Sequence, residues 1–383
     1  MEKLSRAELV ALVRRVFKPT ESDKALAVCI DLPDALVPDQ PAWAARRAMA
    51  AEWVELLRSA EEELGLRCAL VLYRNAHTNN GDLPPSVWIH AGGDLPAHAD
   101  ALDLAQARPL EEMLAQHSIL MVPSQFSATA PLKLLARSIP FRAATMGGFC
   151  PEMIPAMRLD YAEINRRVDF LCSKLDAAEG AHILFSHPNG ESRLFLDLRF
   201  THSHASGGLQ PKAGMVGNLP SGESYIVPFE GSESEASRSE GTLPVQFGEE
   251  VVLYRITRNK AIEVLSEGPV SAAESGKLAA EPAYGNLAEL GLGVLAAFGI
   301  KPIGKVLLDE KLGAHIAFGR SDHFGGRVGP GDFSCAEAVI HIDRVYVPEM
   351  QPDVCIRSLE LEFTDGSKLA VLRDGQYVVD FAV

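Results

Sequence analysis

The sequence has little positive charge. Its 36 lysine and arginine residues are outnumbered by 51 aspartate and glutamate residues, which gives a net charge of −15 at pH 7. Nucleic-acid binding depends on clustered basic side chains that neutralise phosphates, so DNA and RNA are not expected partners. Long apolar runs are also missing, and the first residues mix acids and bases with leucine and valine at helical spacing. We therefore expect no membrane span, no membrane partner and no signal peptide.

Closely spaced cysteines are absent as well. The sequence contains no Cys-x-x-Cys pair and no dense cysteine spacing of the kind that builds disulfide scaffolds. This pattern is typical of reduced, mostly buried thiols in a cytoplasmic protein. The six cysteines are Cys29, Cys68, Cys150, Cys172, Cys335 and Cys355.

Two catalytic sequence patterns are missing too. No glycine-rich loop of the phosphate-binding type occurs, because the pairs Gly207-Gly208 and Gly325-Gly326 are too short to form one. Ser124, Ser127 and Thr129 fit no nucleophile elbow. The sequence therefore gives no support to a nucleotide-binding loop or to serine hydrolysis.

The first third of the chain alternates helical and strand-like segments. An alanine-rich amphipathic helix is predicted from Trp43 to Leu57. Short apolar runs at 25–30, 68–73 and 119–122 predict strands of a parallel sheet that is covered on both faces. With 383 residues, of which 47% are hydrophobic, the chain is long enough for more than one domain. We predict an α/β amino-terminal domain over residues 1–145.

The pattern changes in the remainder of the chain. After a predicted helix at 161–175, strands and glycine or proline turns dominate. We therefore predict a second, β-rich domain over residues 146–383, which makes the fold class α/β plus α+β. The segment Glu230–Gly241 is rich in serine and glutamate, and it is predicted to be a solvated loop with no chemistry of its own.

The second half also contains acids and histidines that suit a metal site. Three carboxylates and two imidazoles can bind a pair of divalent cations, because three negative charges and one bridging hydroxide balance four positive charges. The candidates are Glu223, Glu289, His315, His341 and Asp343. If these side chains converge, the protein is expected to be a metal hydrolase.

Each candidate also has a simpler interpretation when it is taken singly. His341 and Asp343 lie two residues apart in the apolar stretch 338–347, which predicts a strand with both side chains on one face. Such a pair also occurs by chance on surfaces and in cores. A lone histidine such as His315 is commonly a hydrogen-bonded core residue, and the two glutamates can be exposed carboxylates. If the charges are buried instead, the cost is high unless they are paired or bound to metal.

Four segments occur in an order and spacing that resemble the aminopeptidase T family of metallopeptidases. They are Asn218–Glu223, Ala288–Gly291, Asp309–Gly319 and His341–Asp343. Weaker similarity extends over residues 140–383, whereas the earlier part of the chain resembles the family only in its α/β character.

The resemblance implies a two-domain metallo-aminopeptidase, a hydrolase of peptides or small amides, that forms a homodimer. The metal ligands of the family fall on Glu223, Glu289, His315, His341 and Asp343, and all five keep the ligand residue type. The resemblance implies two divalent ions, which can be zinc, cobalt or manganese. The identity of the metal is not determined, because carboxylate and imidazole ligands suit several metals.

A hydrolase of this kind needs a carboxylate that carries a proton from the metal-activated water to the leaving amine. Glu310, five residues before His315, is the candidate for this role. The alternative for Glu310 is a salt bridge with a neighbouring lysine. Several family members have a tyrosine near the metals where this sequence has Asp322. This departure bears on how the transition state is stabilised, and it keeps a catalytically silent metal-binding protein as an alternative.

A rival function follows from a second resemblance. The same fold resembles the ring-cleaving 2,5-dihydroxypyridine dioxygenases, which bind one Fe(II) through two histidines and one carboxylate. In that branch the positions that match Glu223 and His315 lose their ligand character, and the position that matches Glu289 is a histidine. The residues present here therefore favour the two-metal hydrolase.

Overall fold

The structure is a computed structural model, and it describes residues 2–382. Its contacts divide the chain into two compact units. Unit 1 consists of Met1–Ile164 and Gly208–Ser221, and unit 2 consists of Asn165–Gly207 and Gly222–Val383.

The helices and strands follow one another along the described residues. The helices are α1 (Arg6–Phe17), α2 (Pro41–Arg58), α3 (Glu61–Leu64), α4 (Leu110–Gln116), α5 (Thr129–Leu135), α6 (Ile154–Met157), α7 (Tyr161–Ala177), α8 (Pro269–Ala280) and α9 (Val306–Asp309). The strands are β1 (Ala25–Leu32), β2 (Arg67–Arg74), β3 (Ser86–His90), β4 (Arg108–Pro109), β5 (Ile119–Val122), β6 (Arg142–Thr145), β7 (Ala178–His187), β8 (Gly190–Asp197), β9 (Ser203–Ser206), β10 (Val216–Asn218), β11 (Glu223–Ile226), β12 (Glu240–Phe247), β13 (Glu250–Thr257), β14 (Lys260–Val264), β15 (Leu287–Gly293), β16 (Ala314–Gly319), β17 (His341–Val345), β18 (Cys355–Phe363), β19 (Lys368–Arg373) and β20 (Gln376–Tyr377). None of the helices within residues 2–382 has both the length and the apolar character that crossing a bilayer requires.

Unit 1 is built on a sheet with the strand order β10-β6-β5-β1-β2-β3-β4. The strands from β10 to β2 are parallel, and β3 and β4 extend the sheet in the antiparallel direction. Every residue of β1 is buried, as expected for a central parallel strand that is covered on both faces. The predicted α/β character of the first third is therefore confirmed.

Helix α2 shows why this part of the chain is helical. Pro41 occupies its first turn, where a missing amide hydrogen costs nothing, and Trp43, Trp53 and Leu57 recur at helical spacing on the buried face. The Trp43 indole also donates a 3.0 Å hydrogen bond to the buried Asp31 carboxylate at the end of β1. The predicted helix Trp43–Leu57 lies within α2.

The contact-based division of the chain differs from the predicted boundary after residue 145. Residues 146–164 belong to unit 1, and so does the later segment Gly208–Ser221. The later segment belongs to unit 1 because its strand β10 pairs in parallel with β6, which returns the chain to the first sheet. Strand β10 has only 3 residues, which is too short for an apolar periodicity that would predict this pairing.

Unit 2 contains two antiparallel sheets. The larger one has the order β14-β13-β12-β8-β7-β18-β19-β20, and the smaller one has the order β17-β16-β15-β11-β9. Strands β15 and β16 are buried along their whole length. The fold class predicted from the sequence, α/β plus α+β, is confirmed, and the smaller sheet positions the candidate site.

Two local predictions in unit 2 are wrong. The strand expected from residue 338 begins only at His341, because residues Ala336–Ala338 form a 3-10 turn. The segment Glu230–Gly241 is not a uniformly solvated loop: Ser237 and Ser239 are buried and bonded to each other, and the segment ends inside β12. Serine content predicted exposure, but these hydroxyl groups pair with each other and with nearby backbone.

Candidate metal centre

The smaller sheet of unit 2 brings the five predicted ligand residues together. Glu223 is the first residue of β11, Glu289 lies in β15, His315 lies in β16, and His341 and Asp343 lie in β17. These strands are neighbours in the order β11-β15-β16-β17. Residues far apart in the sequence therefore meet on one sheet. We call these five residues the acid–histidine cluster.

The register of the sheet explains the glycines in the Glu289 motif. Gly291 lies directly opposite His315, and a β-carbon at Gly291 would be only 1.9 Å from His315 Nε2. Glu289 and Gly291 are two residues apart, so both residues face the same side of the sheet. The absence of a side chain at Gly291 therefore leaves the space in which the imidazole lies beside Glu289.

Three of the side chains form a first group. One donor atom from each of Glu223, Glu289 and His315 lies within 4.8 Å of the others. His315 Nε2 is 3.1 Å from Glu289 Oε1 and 3.7 Å from Glu223 Oε2. All three side chains are buried. Their spacing allows one small cation to contact all three donors.

A second group shares Glu289 with the first. His341 Nε2 is 3.4 Å from Glu289 Oε2 and 3.5 Å from Asp343 Oδ1. The donor atoms of these three residues also lie within 4.8 Å of one another. One carboxylate oxygen of Glu289 therefore faces each group, which is the arrangement of a carboxylate that can bridge two cations.

Hydrogen bonds fix which nitrogen of each imidazole is available. His315 Nδ1 donates to the Gly313 carbonyl oxygen at 3.2 Å, and His341 Nδ1 donates to the Arg320 carbonyl oxygen at 2.8 Å. Because a carbonyl oxygen accepts only, the hydrogen must be on Nδ1 in both rings. A neutral ring then has its lone pair on Nε2, which in both residues faces the carboxylates, as in histidines that bind metals.

Glu223 provides a buried oxygen that lacks a partner. Within the described part of the chain, Glu223 Oε2 has no hydrogen bond. A buried charged oxygen without a donor is costly, because it has lost its hydration. Burial raises the pKa of Glu223, and the charge of Lys311 opposes this shift. The residues present thus fit a bound cation, since a cation would satisfy the orphaned oxygen.

Sequence reasoning missed Lys311 as a member of the site. Its side chain is 1% exposed, and its ammonium group contacts both Glu223 Oε1 and the Glu310 carboxylate. The Lys311–Glu310 contact is the salt bridge that the sequence analysis gave as the alternative to a catalytic role for Glu310. The signal was present in the motif Asp309-Glu310-Lys311, where a lysine precedes the apolar Leu312. Lys311 balances part of the negative charge, and it leaves Glu223 Oε2 free for another partner.

The buried charges shift the pKa values of their neighbours. Burial raises the pKa of Glu310 to about 8, although the Lys311 charge opposes the shift. Burial lowers the pKa of His315, but the hydrogen bond and charge of Glu289 outweigh burial and raise it to about 9. Burial also raises the pKa of Glu289, but hydrogen bonds from His315 and His341 lower it overall. Without a metal ion, Glu310 and His315 therefore keep their protons at neutral pH.

Asp322, where a tyrosine was expected, is followed by His323, whose ring centroid lies 5.4 Å from that of His341. It begins a 3-10 turn, Asp322–Phe324, and its carboxylate accepts a 2.5 Å hydrogen bond from Arg320 Nε. Burial raises the pKa of Asp322, but the bond and charge of Arg320 outweigh it and lower the pKa. The carboxylate is therefore ionised at neutral pH, and it cannot donate a hydrogen bond as a tyrosine does.

Aromatic rings line the region next to the cluster. Tyr225 stacks on His204 with ring centroids 5.0 Å apart, and it meets the edge of Phe324 at 4.9 Å. Phe324 and His323 each lie 5.4 Å from His341, measured between ring centroids. The cluster is therefore bordered by apolar ring surface as well as by charge.

Glu230 holds the loop that carries Asp322 and Phe324. Its carboxylate accepts hydrogen bonds from Asn286 Nδ2 at 2.6 Å, from Ser321 Oγ at 2.5 Å and from the Arg327 backbone amide. The sequence assigned Glu230 to a segment without chemistry, and this contact set corrects that interpretation. The composition of the segment around Glu230 does not indicate partners that lie about 50 to 100 residues later in the chain. Long-range hydrogen bonds leave no local sequence pattern.

Comparisons with known proteins reveal similarity at the level of structure. No family model matches the sequence, and no curated protein matches it. The structure resembles that of 2,5-dihydroxypyridine dioxygenase from Pseudomonas putida KT2440, with a TM-score of 0.61, 15% sequence identity and coverage of 98% of this chain and 99% of the other. It also resembles wild-type AmpT from Thermus thermophilus, with a TM-score of 0.52, 16% identity and coverage of 98% and 99%.

Both likenesses extend over nearly the whole chain. Identities of 15% and 16% support a distant relationship in fold, which agrees with the two-domain α/β plus α+β prediction. A fold can host unrelated activities, so the activity has to be argued from the site itself. The assignment of the five residues as metal ligands stays a prediction.

Proposed function

We propose that the protein is a metal-dependent aminopeptidase, or a related hydrolase of small amides, which uses two divalent ions. Zinc, cobalt and manganese all suit the donor set. The observation that carries the proposal is the position of Glu289, whose two carboxylate oxygens face different groups at 3.1 Å from His315 Nε2 and 3.4 Å from His341 Nε2. Glu223 and His315 would hold one ion, His341 and Asp343 the other, and Glu289 both.

The charges support this assignment. Three carboxylates and one hydroxide balance two divalent ions. When bound, such ions lower the pKa of a water molecule and polarise the carbonyl group of the substrate. The burial of Glu223, Glu289 and His315 excludes bulk water, which strengthens every charge interaction in the site.

Glu310 is the proposed proton carrier. Its carboxylate would take a proton from the attacking water as the new C–O bond forms, and would deliver it to the amine nitrogen as the C–N bond breaks. A proton carrier works best when its pKa is close to the operating pH, and burial raises the pKa of Glu310 to about 8. The contact with Lys311 holds the carboxylate in place.

The likeness to AmpT agrees with this reaction class, because that neighbour is an aminopeptidase T. We therefore propose a peptide or a small amide with a free amine as the substrate. The predicted homodimer and the cytoplasmic location stay predictions.

The rival is the mononuclear Fe(II) dioxygenase, which the other structural neighbour suggests. A facial triad of that kind takes two imidazoles and one carboxylate around one iron. Each candidate group within residues 2–382 contains a single imidazole and two carboxylates. The donor set therefore supports the hydrolase over the dioxygenase.

Metal analysis combined with two activity assays tests the proposal. The full-length protein is loaded with zinc, cobalt or manganese, and its metal content is measured after removal of free ions. Release of ammonia from aminoacyl amides is then followed with and without chelator. Two ions per chain and hydrolysis that stops on chelation are the expected results. One iron per chain with oxygen consumption on a dihydroxypyridine would contradict the proposal.

A further inference from the structure

Tyr225 lies on the same face of β11 as Glu223. The two residues are two positions apart in the strand, so their side chains project in the same direction. In the sheet register Tyr225 is directly opposite Gly291, and Gly291 is directly opposite His315. Because Gly291 has no side chain, no β-carbon separates Tyr225 from His315 across the sheet. The phenol therefore belongs to the face that carries the acid–histidine cluster.

The hydroxyl group of Tyr225 has no partner within the described part of the chain. No hydrogen bond in residues 2–382 involves it. The side chain is 8% exposed, yet the hydroxyl oxygen is not among the fully enclosed polar atoms that lack a partner. It therefore keeps access to solvent. A hydroxyl that has solvent access and no protein partner is available to a molecule bound beside the charged residues of this face.

Neighbouring rings hold the phenol in one orientation. His204 stacks on it with an interplanar angle of 25°, and Phe324 meets it edge-on. His204 Nε2 also donates a 2.9 Å hydrogen bond to the Phe324 carbonyl oxygen, which joins the two rings. A donor that is fixed before the substrate binds costs little reorganisation when charge develops nearby.

We propose that Tyr225 donates a hydrogen bond from its hydroxyl to the oxyanion that develops on the substrate carbonyl oxygen. This inference rests on the proposed amide hydrolysis. As water adds to the carbonyl carbon, the C=O electron pair moves to oxygen, and the phenol O–H stabilises that charge while keeping its proton.

Two cationic side chains of the region are engaged. The Lys311 ammonium contacts Glu223 and Glu310, and the Arg320 guanidinium pairs with Asp322. Asp322 is ionised and accepts hydrogen bonds only. Within residues 2–382, Tyr225 is therefore a hydroxyl of this face that remains available to a substrate oxygen.

The variant Tyr225→Phe tests the inference, because it removes one oxygen atom and keeps the ring between His204 and Phe324. We expect kcat for an aminoacyl amide to fall about 100-fold, with a nearly unchanged KM, since the oxyanion exists in the transition state and not in the bound substrate. Metal content and the unfolding temperature should stay those of the wild type. An unchanged kcat would overturn the inference.

Tyr346→Phe is the matched control. The Tyr346 hydroxyl donates a 2.8 Å hydrogen bond to the Pro244 carbonyl oxygen, so this variant also removes a buried hydroxyl from unit 2. We expect a lower unfolding temperature and an unchanged kcat. If both variants lose activity in proportion to stability, the effect of Tyr225→Phe is structural and the inference is wrong.

A binding measurement separates this inference from the proposed function. The phosphonate analogue of leucine has charged oxygens like those of the transition state, and its affinity for the metal-loaded protein can be measured by calorimetry. Tyr225→Phe should weaken this affinity by about 10- to 100-fold, because hydrogen bonds to charged groups are strong. If the wild type hydrolyses no amide, the proposed function fails, and weaker phosphonate binding by the variant still supports the role of Tyr225. Equal affinity of the two proteins, or no binding by either, overturns it.

Discussion

Two of the buried carboxylate clusters in the described part of unit 2 differ in how their oxygens are satisfied. One is the acid–histidine cluster, and the other surrounds Glu274 in helix α8. Glu274 is 1% exposed and Glu289 is 4% exposed, so burial alone does not distinguish them. The difference lies in their partners, and it separates a structural cluster from a candidate binding site.

The Glu274 cluster is closed. Glu274 Oε2 accepts hydrogen bonds from the hydroxyls of Tyr254 and Tyr284, and Oε1 accepts a 2.6 Å bond from Lys277. Burial raises the pKa of Glu274, but these three donors outweigh burial and lower it. Every oxygen of this carboxylate is used inside the protein, so the cluster can stabilise the fold without any ligand.

The acid–histidine cluster is open. Glu223 Oε2 has no hydrogen bond within residues 2–382, and burial raises the pKa of this residue. The Nε2 atoms of His315 and His341 face carboxylates at 3.1 to 3.5 Å. Such a cluster is stable only if protons or cations neutralise it. The comparison indicates that an unsatisfied buried oxygen is better evidence for a binding site than burial or an unusual pKa.

The largest contrast between the clusters is expected from removing one charge in each. Glu289→Gln should abolish the binding of two ions, because the amide keeps only one oxygen and no negative charge, so it can no longer serve both groups. Substituting a residue that only hydrogen-bonds to a metal ligand lowers metal affinity by about 10- to 100-fold. Weakening a direct ligand should therefore lower zinc affinity by more than about 100-fold. Zinc titration of the purified variant by calorimetry measures the effect, and hydrolysis of aminoacyl amides should fall with it.

Glu274→Gln is the control for this comparison. It removes an equally buried charge and leaves the acid–histidine cluster intact. We expect a loss of about 1 to 3 kcal/mol in unfolding free energy, because a buried hydrogen-bond network loses a partner. Zinc stoichiometry should stay at the wild-type value. If Glu289→Gln keeps two zinc ions, or Glu274→Gln loses them, the distinction between an open and a closed cluster is incorrect.

Part of this comparison could be predicted from the sequence. The order and spacing of the motifs around Glu223, Glu289, His315 and His341-Ile342-Asp343 resembled those of a metallopeptidase family, and this resemblance predicted them as one ligand set. Taken singly, the residues left their convergence open. The face of a strand follows from its period of two residues. The role of Gly291 could have been predicted in the same way, since it is two residues from Glu289.

Other features needed the three-dimensional structure. The contacts of Lys311 and Glu230 depend on which strands are neighbours, and strand order is not encoded in local periodicity. The return of the chain to the first sheet through β10 involves only Val216–Asn218, which is too short to produce a recognisable pattern. Long elements such as α2 and β1 were predictable, because many residues repeat the same burial signal.

The acid–histidine cluster should also respond to pH more strongly than the Glu274 cluster. In the metal-free protein the pKa of His315 is about 9, above its ordinary value of 6.5. A raised pKa in the folded state means that this proton stabilises the fold fully below pH 6.5, and that the contribution is lost as the pH rises through 9. A metal ion must displace this proton, so metal affinity should rise over the same range.

Zinc titrations at different pH values measure this competition. Each displaced proton makes the apparent affinity about tenfold higher per pH unit, so about 100-fold is expected between pH 6.5 and pH 8.5. Repeating the titration in buffers of different ionisation enthalpy counts the released protons. A pH-independent affinity, or the absence of proton release, would mean that zinc binds elsewhere than at His315.

The smallest expected contrast concerns two glycines, one from each cluster. A β-carbon at Gly291 would be 1.9 Å from His315 Nε2, whereas one at Gly276, in helix α8 next to Glu274, would meet no atom within 4 Å. Gly291→Ala should displace the imidazole and weaken zinc binding by about 10- to 100-fold, as changes in ligand orientation do. Gly276→Ala should leave zinc binding unchanged and stabilise the protein by about 0.5 to 1 kcal/mol, because alanine loses less conformational entropy than glycine in a helix. Calorimetric zinc titration and thermal unfolding of both variants distinguish these effects. Unchanged zinc affinity in Gly291→Ala would show that the position of the His315 ring does not determine zinc binding, and His315 would then lose its assignment as a ligand.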